Sequence, residues 1–291
     1  MMLMEFLINN KKEKDDFFVI KSHNNPFYLN IREIIKYRDL IFVLMRRDFV
    51  AIYKQSILGP LWFILTPLFT TFVFTLVFGN IAKISTGGIP HILFYFSGII
   101  VWNYFSASLL STFEVFIANA NIFGKVYFPR ICVPIATTTT KLVAFFIQLV
   151  TFIILYLVFV FNGLTIRPNI YILFFPFFIL QVALLSLGIG FIISSITTKY
   201  RDLLYLANFG VQLFMYITPI AYPLSQVPEK FKIIILLNPL THVFEFIRYS
   251  LFGMGELNYY LLMISVIVTI ILFLFGIIIF NATEKTFIDV V

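Results

Sequence analysis

Hydrophobic residues along this chain gather into long charge-free runs instead of alternating with polar ones. Six runs stand out: Leu61 to Ala82, Ile92 to Phe113, Leu142 to Phe161, Ile170 to Thr198, Leu203 to Leu224 and Tyr259 to Ala282. Each approaches or exceeds the ~20 residues that a helix needs to cross a hydrocarbon core of about 30 Å. Unbroken apolarity lacks the period-two alternation of a barrel strand, so the runs predict six transmembrane helices and an all-α, polytopic fold.

Between Tyr37 and Gln55 the pattern changes. Ile41, Phe42, Met45, Phe49, Ile52 and Tyr53 recur at helical spacing, while Asp39, Arg46, Arg47 and Lys54 fall on the opposite arc. This predicts an amphipathic helix too charged to cross, lying on the inner membrane surface and stopping at Gly59-Pro60. The outer segment 223–258 carries Pro223, Pro228 and Pro239, and its apolar pieces, 233–237 and 243–251, are too short to span. Short re-entrant or interfacial helices are expected there. The chain thus divides into an amino-terminal extension (1–36), an interface helix (37–59), a membrane domain (60–282) with an inner loop at 119–134, and a tail (283–291).

Composition reinforces the pattern. The residues are 60% hydrophobic and only 12% charged, whereas a soluble domain carries about 25% charged residues. The net charge of +7 is distributed as a topology signal. With the amino terminus inside, 16 Lys and Arg fall on the inner side and five (Lys83, Arg167, Lys230, Lys232 and Arg248) on the outer. That asymmetry favours both termini in the cytoplasm and attraction to anionic membrane lipids, with no nucleic-acid partner. The single cysteine, Cys132, has no disulfide partner in the chain. Met1 to Ile8 is too short for a signal-peptide core, so no cleaved leader is expected.

Four local signatures occur in order: Arg38-Asp39-Leu40 with Tyr53 to Trp62 (YKQSILGPLW); Asn121 to Arg130, containing KVYFPR; Tyr200-Arg201-Asp202; and Asn238-Pro239-Leu240 before Arg248-Tyr249. Together they resemble the type-2 ABC exporter permeases that move O-antigen, teichoic acid or capsular polysaccharide, and the resemblance covers residues 37–291. It implies a homodimer in the bacterial cytoplasmic (inner) membrane, driven by two copies of a separate ATPase that holds ATP and Mg. The chain itself has no G-x-x-x-x-G-K-[ST] loop and no acidic cluster to hold a metal against a diphosphate. No catalytic residue, metal site or resident cofactor is therefore expected in it.

The resemblance also implies site residues. Asn121, Phe123, Lys125, Tyr127, Phe128, Pro129 and Arg130 would form the loop that couples to the ATPase, the alternative being a basic loop resting on headgroups. Arg46, Arg47 and Asp48 would give a second ATPase contact, or else a face for anionic lipid. Tyr53, Lys54, Gln55, Leu58 and Gly59 would lie at the entrance for a lipid-linked oligo- or polysaccharide, unless this turn is only a hinge. Trp102, Asn103, Tyr104, Tyr216 and Tyr222, rings with polar handles and an amide, stand either on the pathway wall or in ordinary helix packing.

Charges within or beside the spans give further expectations. Glu114 and Lys141 are expected to pair across the inner loop, and Glu245 and Arg248, three apart in the outer gate segment 223–258, either to pair locally or to help gate the exit. Ser186, Gly190 and Ser194 form a stripe of small residues suited to close helix packing. The rival functions are a type-2 exporter of a small molecule or drug, a secondary transporter, which would need repeats and paired ionisable groups, and a membrane transferase, which would need the missing acidic cluster.

Overall fold

The computed structural model describes residues 31–54, 57–123, 128–166, 168–200, 202–253, 255 and 257–287. Their regular structure is entirely helical. A short α1 (Ile31–Lys36) leads into the interface helix α2 (Arg38–Tyr53). The first span runs through a 3-10 turn at Gly59–Leu61, α3 (Trp62–Phe74) and a π-helical turn at Thr75–Ile81. The second is α4 (His91–Phe113), followed by the inner pieces α5 (Val115–Ala118) and α6 (Ala120–Phe123). Next come α7 (Cys132–Phe161), α8 (Phe175–Thr197) behind a 3-10 turn at Ile170–Phe174, and α9 (Leu203–Ile217). The outer segment holds α10 (Glu229–Leu237) and α11 (Pro239–Phe252), and α12 (Tyr259–Phe287) is the last span.

Five of these helical stretches are long and apolar enough to cross a membrane. The second span is the axis of the bundle: 78% of its apolar window is buried in the chain, against 44% or less in the other four. α7 and α8 pack along α4, and α12 packs along α8. Glycine sets that last spacing. A Cβ on Gly188 of α8 would lie 2.7 Å from the Phe273 backbone, and one on Gly276 would lie 3.1 Å from the Gly188 carbonyl carbon. The expected small-residue stripe also closes a helix pair, since a Cβ on Gly190 would lie 2.6 Å from Thr112 of α4. Gly276→Leu is therefore expected to destabilise the chain by about 1–3 kcal/mol through overpacking. A thermal-denaturation midpoint in detergent would show it, with Gly210→Ala, where the added carbon meets nothing within 4 Å, as the neutral control.

The fifth apolar run behaves differently from the other five. α9 has 15 residues, about 22 Å of helix. It stops because Pro219 forces the preceding residue out of the helical region, and Thr218 is extended at φ −82°, ψ 136°. The remainder of the run turns inward, with Thr218, Ile220 and Ala221 buried. Non-helical backbone at membrane depth must be shielded and hydrogen-bonded, and α11 supplies both. Arg248 donates to the Ile220 carbonyl at 2.9 Å, and Asn238 Nδ2 donates to Thr218 Oγ1 at 2.9 Å. α11 itself is a buried helix capped at its start by the Asn238 side chain and ended by Gly253 at φ +66°, so the short helices expected between spans five and six are present.

The third span begins earlier than its apolar run. α7 starts at Cys132, and its inner turns contain Thr137, Thr139 and Thr140, whose hydroxyls each donate to a carbonyl three or four residues back. Such internal hydrogen bonding lets hydroxyl residues continue an apolar helix. Lys141 consequently lies well inside α7.

Candidate functional site

The inner end of the bundle is built on a second apolar cluster. Val115, Phe116, Phe123, Phe128, Ile131, Cys132 and Val133 pack with Leu187 and Phe191 of α8 and Ile277 and Phe280 of α12. Phe116 stacks on Phe280 at 4.7 Å, and Phe123 lies 5.8 Å from Phe128. Arg130 completes the arrangement from within. Only 7% exposed, it sits over the Phe123 ring at 5.5 Å, donates to the Glu284 carbonyl at 2.6 Å and lies 3.7 Å from the Glu284 carboxylate. Burial lowers its pKa from the ordinary guanidinium value, and the Glu284 charge counters that effect. Of the residues expected to face a partner, Phe123, Phe128 and Arg130 thus point into the chain's own interior, Pro129 is half-buried, and Asn121 is exposed. Lys125 and Tyr127 lie outside the described residues.

The interface helix docks on the same cluster. Leu44 is buried there, with Tyr37, Leu40, Ile41 and Met45 packed beside it, whereas Phe42 is 67% exposed. Ile41 and Met45 of the expected apolar arc thus pack on the cluster together with Leu40 and Leu44. Apolar residues lie on more than one side of α2, and packing against α7 selects the side containing Leu40 and Leu44. Arg47 holds Asp48 at 2.7 Å and reaches Asn119 Oδ1 at 3.5 Å, joining this helix to the inner loop. Arg46 is exposed and, with Val43, Arg47, Val50, Ala51 and Lys54, lines an open, basic hollow of about 510 Å³.

Lys54 stands exposed at the end of α2. Leu58 is exposed and Gly59 is buried at φ +48°, a left-handed conformation that costs about 1–2 kcal/mol for a residue with a Cβ. The Tyr53 side chain and Gln55 lie outside the described residues.

Deeper in the bundle, Trp102 (5% exposed) packs on Phe105 and Phe214, and Tyr104 (2% exposed) packs on Phe145. Asn103 is half-buried, its amide 3.5 Å from Gln148 of α7. It begins the one partly uncovered stripe on this half of α4: Asn103, Ser106, Ala107, Leu110 and Ser111, at the i, i+3, i+4, i+7, i+8 positions of a single helix face. The stripe carries an amide and two hydroxyls, the hydroxyls of Ser106 and Ser111 each donating to a carbonyl three residues back. On α9, Tyr205, Phe209, Gln212 and Tyr216 are exposed along another single face. Tyr222 is half-buried, and its hydroxyl lies 3.0 and 3.2 Å from the Tyr216 and Ile217 carbonyls, capping the end of α9.

Among the described residues, five helical stretches are long and apolar enough to cross a membrane, α4 among them carries the polar stripe, and short helices lie between the fifth apolar run and the last span. The family model for ABC-2 type transporters matches residues 39–252, well over half of the chain. The chain belongs to the ABC-2 type transporter family. Among its relatives is an O-antigen export system permease protein RfbA of Klebsiella pneumoniae, 32% identical over 87% of this chain and 95% of the relative. A second protein of that name from the same species is 30% identical over the same shares. One from Myxococcus xanthus is 27% identical over 72% of this chain and 79% of its own length.

Within this ABC-2 membrane domain two pairings differ from expectation or extend it. Glu114 and Lys141 do not pair: Glu114 is exposed at the break between α4 and α5, while the charge acting on Lys141 is that of Asp48. Lys141 lies within the longer α7, the helix against which the interface helix packs. Glu245 and Arg248 do pair, at 3.6 Å, with Arg248 only 3% exposed. Sequence reasoning missed the Ser106–Ser111 stripe, although its small and polar residues at helical spacing inside an apolar run are a readable signal. The Arg130–Glu284 contact had no such signal, because it joins residues 154 positions apart.

Proposed function

We propose that this chain is the membrane permease of an exporter of lipid-linked polysaccharide of the O-antigen kind, working as a homodimer with two copies of a separate ATPase. The support is the extent of similarity to three proteins named as O-antigen export permeases, across 72–87% of the chain. ATP, with Mg, is hydrolysed on the partner. The domain sits in the cytoplasmic membrane with both termini inside, in keeping with the distribution of basic residues.

In this reading each group of side chains has one task. Asn121, Lys125 and Tyr127 meet the ATPase, while Phe123, Phe128, Pro129 and Arg130 give the loop a fixed shape against the bundle. Arg47 and Asp48 carry movement of the loop at Asn119 to α2. Arg46 and Lys54 attract the anionic head group, and Tyr53, Gln55, Leu58 and Gly59 meet it at the entrance. Asn103, Ser106 and Ser111 face the sugar chain together with Tyr205, Phe209, Gln212 and Tyr216, whose rings give sliding apolar contact to flat sugar faces. Trp102 and Tyr104 support this wall from behind, and Tyr222 holds the end of α9.

Removing the chain from its host tests the reading. Loss of surface polysaccharide with retention of lipid-linked polymer on the inner membrane face, restored by a plasmid-borne copy, is the expected result. Normal surface polymer together with retention of a small compound would instead favour a drug or metabolite exporter.

A further inference from the structure

The Arg248 guanidinium lies at a seam where three elements meet. Its Nη2 donates to the Ile220 carbonyl at 2.9 Å, its Cζ lies 3.7 Å from the Phe94 ring centroid, and its Nη1 is 3.6 Å from Glu245 Oε1. Across the seam, a Cβ on Gly98 of α4 would sit 3.2 Å from the Ile220 side chain and 3.5 Å from Arg248 Nη2. The same broken end of span five is held a second time by Asn238 on Thr218. α11 thereby grips the end of α9 and presses it on the outer half of α4.

This node is only partly satisfied. Arg248 Nε and Nη1, Glu245 Oε1 and the Tyr95 hydroxyl are buried without hydrogen-bond partners. A site serving stability alone would do as well or better with apolar side chains of similar volume. A charge with unmet donors behaves differently. Water reaching Nε, Nη1 and the Tyr95 hydroxyl as the seam parts would offset part of the lost Ile220 contact and so lower the cost of parting. Two arrangements of similar free energy are what a moving element requires.

We propose that Arg248 is a positioning residue that latches the outer segment and the broken end of span five against α4, and that export requires this seam to open. The proposal rests on the export reading above and adds to it the place where the outer side moves.

A reversible cross-link tests it in the complete permease–ATPase complex. With Cys132→Ala removing the native thiol, Gly98→Cys and Ile220→Cys place thiols on the two sides of the seam, where a Cβ on Gly98 lies 3.7 Å from the Ile220 Cα. Oxidation is expected to abolish export and reduction to restore it. A fully cross-linked complex that exports as fast as the reduced one overturns the latch. Arg248→Met gives an independent reading through the ratio of polymer exported to ATP hydrolysed. The latch predicts that this ratio falls, that a small anion leaks at rest, and that Arg248→Lys restores part of the ratio. A merely structural role would change the yield of complex and leave the ratio untouched, and an unchanged ratio without leak overturns the proposal. A native complex that fails to export under the same conditions overturns the export reading on which the latch depends.

Discussion

Arg130→Ala is expected to lower export on the order of tenfold and to reduce the stimulation of the partner ATPase with it. The side chain supplies a charge-assisted hydrogen bond, of a kind worth about 1.5–3 kcal/mol, between the inner loop and the last turns of α12. It also fixes the Phe123 ring that anchors α6. Without it the loop keeps its apolar cluster but loses its tie to Glu284, so movement of the ATPase is absorbed by the loop instead of reaching the spans. A tenfold rate effect corresponds to about 1.4 kcal/mol, within what this contact can supply. The measurement is ATP turnover and export by the same purified complex. Arg130→Lys should recover little, since an ammonium lacks the planar fork that spans ring, carbonyl and carboxylate. Full export by Arg130→Ala would remove the loop–α12 tie from the coupling route.

The second large effect is expected at Ser106. Ser106→Trp places an indole on the half-buried polar stripe of α4, and export should fall at least about a hundredfold, the rate equivalent of roughly 2.7 kcal/mol. ATP hydrolysis should continue, because the inner loop is untouched. This is the reverse of the Arg130 outcome, in which both activities fall. Phe146→Trp, on an exposed apolar face of α7, is the control and should export normally. If Ser106→Trp also exports normally, the stripe does not face the path.

The membrane helices were legible because lipid leaves a sequence little choice: backbone groups must be paired within the helix and side chains must be apolar. Span five differs: its apolarity continues to Leu224, although the helix ends before Pro219. What continues there is the shielded backbone held by Arg248 and Asn238, and shielding by a distant helix leaves no local trace. The face of α2 was ambiguous for a different reason. Phe42 and Leu44 are equally apolar, and only the docking surface of α7 distinguishes them. Trp102 and Tyr104 illustrate the same point for the candidate site. A ring with a polar handle halfway through a span suits a pathway or a core, and burial at 5% and 2% puts both in the core of this chain. Small hydroxyl residues at Ser106 and Ser111 are less conspicuous in the sequence than the rings, yet they lie on the open face of the most buried span.

The central proposed activity is ATP-driven movement of lipid-linked polysaccharide through this chain. Co-reconstitution of the chain with its cognate ATPase in vesicles carrying lipid-linked polymer on the ATPase-exposed leaflet measures it directly. Appearance of polymer on the opposite side, dependent on ATP and on both subunits, is the predicted result. Transfer at the same rate without the ATPase, or an ATP-hydrolysing complex that leaves the polymer in place, would contradict it.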